Sequence, residues 1–227
     1  MHPMLSYKIT TLSFGAVSVE NKADSTKKLI VTCARQEFLD AGFHNASMRK
    51  IASAANVTTG AIYRYFPDKR LLFSAATEEA VSSLRDMINR LTDDALIGAA
   101  EGVSYGEETS KSNMVMLYNL IYENFDQFYL LLMSSDSTDS VDFLHEFVEM
   151  EERSTLAYID ALKTRHGSKY EIDKIALHFL LEAYVSALLE PVRHRMSKED
   201  AIFHSQNLSL YFSVGWLGLE EIMRKEK

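Results

Sequence analysis

Between residues 47 and 72 the chain carries Ser47-Met48-Arg49-Lys50-Ile51-Ala52, then Val57-Thr58-Thr59-Gly60-Ala61-Ile62-Tyr63-Arg64-Tyr65-Phe66, then Asp68-Lys69. The polar members are hydroxyls, phenols and cations, groups that hold phosphate oxygens and base edges. Thr58 and Thr59 at a helix start would offer hydroxyls and free amides to a phosphate, and Thr59 could also touch a thymine methyl. Gly60 would leave the helix bare, so that the backbone could come close to a base or a phosphate. Tyr63 and Tyr65 would give phenolic hydroxyls to a nucleic-acid backbone. Arg64 could reach a guanine edge or another phosphate, and Lys69 would neutralise a phosphate.

The elements that must position these groups follow from spacing. Asp24 or Ser25 can cap a helix starting near Thr26, with Ile30, Ala34, Phe38 and Ala41 on its inner face and Gly42 as a left-handed stop. Ser47 then caps a second helix that turns Ile51, Ala52 and Ala55 inward. Lys50 stands where a capping-box Glu would be, so that reinforcement is missing. Asn56 tolerates the left-handed geometry of a tight turn. Thr58 caps a third helix of about two turns, with Ala61, Ile62 and Phe66 inward. Two short helices crossing steeply need small residues between them, and Ala52, Ala54, Ala55 and Ala61 supply these. The pattern is that of a helix-turn-helix.

At these residues the chain resembles the TetR family of transcriptional regulators. The resemblance covers residues 26–72 and rests on Phe38, Gly42, Ser47, Ile51-Ala52, Ala55, Val57, Gly60, Tyr63, Phe66 and Lys69. It implies phosphate contacts at Ser47 and Lys69 and a DNA face made of Thr58, Thr59, Gly60, Tyr63 and Tyr65. Three positions depart from the family pattern: Asn56 where Gly is common, Tyr65 where His is common, and Thr59 where many members have Lys. Asn still allows the turn and Tyr still donates a hydrogen bond, so the last departure bears on sequence preference more than on binding.

Pro67-Asp68 ends the third helix and starts a fourth, which carries Leu72, Ala76, Ala80, Leu84, Met87, Ile88 and Leu91 on one face and runs for about twenty residues or more. A loop is expected from Gly98 to Glu108, a helix over about 111–133, a break at 134–140, a helix over about 141–165 ending at Gly167, and two last helices over about 171–196 and 198–224. The expected architecture is all-α. A flexible leader (1–24) precedes a three-helix DNA-binding head (25–70), joined by the long helix to a larger effector-binding and dimerisation body (71–227).

In the body, residues 176–189 are apolar nearly all round, which predicts burial on more than one side. His178, Glu182 and Ser186 form one polar stripe there, either an internal network or a contact for a ligand's polar group. Tyr118, Tyr122, Phe125, Phe128 and Tyr129 make an aromatic stripe that is either core or the wall of a pocket for a flat, greasy molecule. Ile202, Leu208, Leu210, Tyr211, Val214, Trp216 and Leu217 are interleaved with Ser209, Ser213, Gly215 and Gly218 on the last helix. The family resemblance implies that the last two helices pair with their copies in a homodimer, which suits a two-fold operator. It further implies control by a small-molecule effector, unidentified, and favours repression over activation. Control by a protein partner is an alternative, and a helical enzyme with a vestigial head is another.

Charge is divided along the chain. Residues 1–74 hold ten Lys/Arg against five Asp/Glu, and residues 75–227 hold fourteen against twenty-seven, within a net charge of −8. A basic head on an acidic body lets only the head approach DNA. The single cysteine, Cys33, excludes an intrachain disulfide framework and fits a reducing cytoplasm; it reads as a small buried hydrophobe. No run approaches the roughly 18 apolar residues of a membrane span. No Cys/His cluster has metal spacing, and no Gly-rich phosphate loop or nucleophile elbow occurs. No catalytic residue, metal or cofactor is therefore expected.

Overall fold

Side-chain caps set the ends of the early helices. In the computed structural model, which describes residues 22–103, 106–134 and 138–225, Ser47, Thr58 and Asp68 accept hydrogen bonds from the backbone N–H groups of Lys50, Ala61 and Leu71 at 3.4, 3.1 and 2.8 Å. The helices of the head are α1 (Lys22–Asn45), α2 (Met48–Ala54) and α3 (Thr59–Tyr65), and α4 (Lys69–Glu101) leads out of it. The body contains α5 (Glu107–Glu123), α6 (Phe125–Met133), α7 (Thr138–His166), α8 (Lys174–Arg193) and α9 (Lys198–Lys225). No strand occurs among the described residues, and the fold class is all-α.

α1 begins at Lys22, four residues before the expected start, so residues 22–24 of the expected leader are helical. Lys22 and Ala23 are good helix formers, and Asp24 complements the helix dipole from inside the first turn instead of capping it. The rest of the leader, 1–21, lies outside the described residues. Gly42 interrupts α1 at φ 75° and ψ 161°, an extended rather than left-handed helical conformation that essentially only glycine adopts. Asn56 takes the expected positive φ, 52°.

Glu37 supplies what the missing capping box withheld. Its Oε1 accepts from the Ser47 N–H at 3.1 Å and lies 3.8 Å from Lys50 Nζ. The reciprocal acid of α2 thus comes from α1, ten residues upstream.

The head and body share one core. Ile30, Ala34, Phe38, Ile51, Ala52, Ala55, Ile62 and Phe66 are buried and continuous with Leu72, Phe73, Ala76 and Ala80 of α4. Phe73 meets Phe38 and Phe43 edge-on, with ring centroids 5.1 and 5.2 Å apart. Such pairs contribute about 0.5–1.5 kcal/mol beyond burial, so the joint is a packed one. Cys33 is half-buried against this core.

α4 is 33 residues long and ends at Gly102 (φ 93°), not at the expected Gly98. The Arg165 guanidinium lies against Gly102 and donates to Ala99 O at 3.3 Å, which closes the helix end. The single helix expected over 111–133 is split at Asn124. Its side chain donates to Leu120 O at 3.2 Å and accepts from Gln127 Nε2 at 3.1 Å, the local competition with backbone bonding that Asn favours. α4 packs along α7, and α5 along α9.

α8 differs from expectation. Leu177, Leu181, Val185, Leu188 and Leu189 are buried, but Phe179 is 63% and Ile175 68% exposed. The helix is buried on one side within the chain because the neighbouring helices cover only that face. It is long and apolar enough to cross a membrane by length and composition, with mean hydropathy 1.5. That differs from the expectation, because the interruptions by His178, Glu182, Ser186 and Glu190 do not lower the average below the range of a span.

Candidate nucleic-acid interface and body cavity

α3 has seven residues and one buried anchor, Ile62. With Ile62 inward, Thr58, Gly60, Tyr63 and Arg64 are exposed and Thr59 half-exposed. Tyr65, three positions after Ile62, turns back and packs against the core instead of standing on the outer face. A Cβ built on Gly60 meets nothing within 4 Å, and its φ is not positive. Nothing among the described residues therefore requires glycine there, although a helical Gly costs about 1 kcal/mol relative to Ala. The physical reason for Gly60 has to lie outside the molecule.

Ser47 and Lys69 come together at the turn between α1 and α2. Lys69 Nζ donates to His44 O at 2.8 Å and to Ala46 O at 3.4 Å, and sits 4.9 Å above the Phe43 ring. Its cation already closes the end of α1, so it is a structural tie as well as a candidate phosphate contact. The Ser47 and Thr58 oxygens serve as caps while their O–H groups remain able to donate. Arg49 and Arg70 are exposed cations beside these caps. They are not among the residues expected from the sequence, although their type and their neighbours Ser47 and Lys69 mark them there.

The residues expected to meet an effector line neither of two cavities in the body, one of about 510 Å³ between α8 and α9 and a smaller one against α4. Tyr118 is buried and donates to Leu188 O at 2.6 Å; burial pushes its phenol well above the usual range. Tyr122 donates to Met196 O at 2.8 Å, and its phenol is raised by burial and then by Asp200 and Glu199. Phe125 lies between Tyr122, to which it is tilted, and Tyr129, on which it stacks, and Arg195 lies 4.1 Å over the Tyr129 ring. This aromatic ladder fastens the α8–α9 turn. His178 Nδ1 stands 3.0 Å from Glu152 Oε2 and its Nε2 3.6 Å from Glu182 Oε1, so the polar stripe ties α8 to α7, with Ser186 exposed.

The cavity against α4 is lined by α4, α5, α7, α8 and α9 and has a volume of about 140 Å³. None of Tyr118, Tyr122, Phe125, His178 and Glu182 lines it. Met87, Ile88 and Leu91 of α4, Asn113 of α5, Glu151 of α7 and Trp216 of α9 do. Burial pushes the Glu151 carboxyl up to about 7. An acid within the Phe147, Ser154, Thr155, Tyr158 face of α7 was visible in the sequence, but the run Glu149-Met150-Glu151-Glu152 disguised it as solvated surface.

Residues 30–76, which are α2 and α3 with most of α1 and the start of α4, match the profile of bacterial regulatory proteins of the tetR family. Over these residues the chain is similar to the DNA-binding head of the TetR family. The relatives it matches beyond that segment are HTH-type transcriptional regulators. It is 26% identical over 179 residues to the HTH-type transcriptional regulator BetI of Escherichia coli O45:K1, covering 76% of this chain and 90% of BetI. It is also 26% identical to the HTH-type regulator YuxN of Bacillus subtilis strain 168, covering 72% of this chain and 54% of YuxN. The crystal structure of the transcriptional regulator FadR of Bacillus subtilis in complex with stearoyl-CoA superposes with a TM-score of 0.57 at 14% identity, covering 80% of this chain and 95% of FadR. That likeness is one of fold.

Proposed function

We propose that this chain is a cytoplasmic, homodimeric, effector-controlled repressor. Its head (25–70, with α1 reaching back to Lys22) binds a palindromic operator, and its body (71–227) holds the effector site and the dimer interface. The outer side of α3 carries this reading: Thr58, Thr59, Gly60, Tyr63 and Arg64 face away from Ile62, and the one glycine among them is unexplained by the fold. Ser47 and Lys69 flank that face as phosphate contacts, and Tyr65 supports it from behind.

Exposed apolar side chains on the last two helices support a dimer. Phe179 and Leu180 of α8 and Phe203, Tyr211, Val214 and Leu217 of α9 are between 44% and 78% exposed, and large apolar side chains left exposed on neighbouring helices are a mark of an association site. The cavity against α4 supports control by a small molecule rather than by a protein partner, because its wall includes the helix that enters the head. A coupling of about 1–3 kcal/mol between effector and operator would change operator affinity roughly 5–150-fold.

The test is a mobility-shift titration of the full chain on the DNA upstream of its own gene, against random competitor, at several salt concentrations. Specific binding that falls steeply with salt is expected. No preference for any fragment over competitor, even at low salt, would overturn the reading. Sedimentation of the parent and of Phe179→Asp addresses the dimer, with a shift to monomer expected in the variant.

A further inference from the structure

Glu151 is the one carboxylate in the cavity wall, which contains no Lys, Arg or His. It forms no hydrogen bond or ion pair among the described residues, and desolvation is what raises its carboxyl. A half-buried acid that holds no structural partner is still a costly group to keep. Its neighbours on α7, Phe147 one turn before and Thr155 one turn after, face the same space. The opposite walls include the aromatic residues Tyr184, Phe212 and Trp216. Aromatic faces attract a desolvated cation through their quadrupole, and a carboxylate supplies the opposite full charge. An anion placed there would sit beside Glu151 with no compensating side chain in the wall.

Size narrows the ligand further. About 140 Å³ is close to the roughly 150 Å³ of a dry protein cavity that admits benzene. It is below the about 300–1,000 Å³ of pockets for drug-sized ligands.

We propose that this cavity selects a small amphiphilic cation, an ammonium group on a body of about one ring, with Glu151 as its counter-charge and the aromatic walls around its apolar part. The proposal rests on the cavity being the effector site and names the class of molecule that fills it.

The test uses the full chain and three matched probes, benzylammonium, benzyl alcohol and benzoate, titrated calorimetrically into the parent and Glu151→Gln. Benzylammonium is expected to bind the parent about tenfold or more tightly than benzyl alcohol, a ratio in the range of a close charge pair. In Glu151→Gln that preference disappears while benzyl alcohol binding stays within about threefold, which also reports that the cavity is intact. Equal or weaker binding of benzylammonium, or a preference that survives in Glu151→Gln, overturns the proposal. If benzoate or benzyl alcohol binds best, the charge assignment fails and the cavity remains a ligand site. If none of the three binds, the proposal and the effector-site reading fail together, and the operator titration stands as a separate result.

Discussion

Gln127 Oε1 accepts a hydrogen bond of 3.2 Å from the backbone N–H of Ala80, inside the buried seam between α6 and α4. One turn earlier, Ala76 O accepts from Arg35 Nε of α1 at 3.0 Å. The same turn of α4 is therefore held at one end by the head and at the other by the body. Gln127 Nε2 also donates to Glu79 Oε2 at 3.2 Å and to Asn124 Oδ1, the residue at which α5 and α6 separate. α5 in turn carries Ser110, Asn113 and Met114 into the cavity wall. A hydrogen-bonded path thus links the α5–α6 break to the turn of α4 that the head grips.

Gln127→Leu keeps the volume of this side chain and removes its three hydrogen bonds. With Gln127 only 3% exposed, the loss is expected to cost about 1–3 kcal/mol, a fall in melting temperature of roughly 2–10 °C for a chain of this length. Thermal unfolding followed by circular dichroism measures it. An unchanged melting temperature would mean that the seam is held by packing alone.

Gly60→Ala separates folding from recognition. The added methyl group has open space, so the variant is expected to be more stable by up to about 1 kcal/mol. If the outer face of α3 is the DNA face, the same methyl group obstructs close approach and operator affinity falls. A variant that is more stable and binds DNA as tightly as the parent would remove Gly60 from the interface.

Lys69→Ala and Tyr63→Ala should differ in kind. Lys69 joins α4 to the end of α1 through His44 O and Ala46 O, so its loss is expected to lower stability by about 1–2 kcal/mol and to weaken DNA binding. Tyr63 is 48% exposed, so its loss should weaken DNA binding with a stability change within about 0.5 kcal/mol. Paired melting and mobility-shift curves check both, and identical stability losses would contradict the roles given to the two residues.

Glu151 gives the chain a pH dependence of definite sign. Its carboxyl is raised from 4.5 to about 7 in the folded protein, so the folded state holds the proton more tightly than the unfolded one. Its contribution to stability is complete below pH 4.5 and is lost as pH rises through about 7, a change on the order of 3 kcal/mol. Glu151→Gln imitates the protonated acid. Its melting temperature is therefore expected to match the parent near pH 5 and exceed it near pH 8. A difference that does not grow over that interval would place the carboxylate in a solvated setting.

What could be read from the order of residues was whatever neighbouring residues decide among themselves. Ser47, Thr58 and Asp68 cap because a short oxygen reaches an amide two or three positions on, and Asn56 and Gly42 turn because of their own backbone preferences. With Ile62 as the one buried anchor of so short a helix, the outward set of α3 followed from its 100° steps, except that Tyr65 was placed outside when the same steps carry it back toward Ile62. Tertiary structure decided everything that depends on which distant segment arrives opposite. Glu37 completes the cap of Ser47, and Lys69 finds carbonyls 23 and 25 residues away. Tyr118 and Tyr122 find the carbonyls of Leu188 and Met196 rather than a cavity, and Glu151 ends among aromatic walls. Periodicity tells which side of a helix is apolar, but the identity of the neighbour depends on helix crossings that no local pattern encodes.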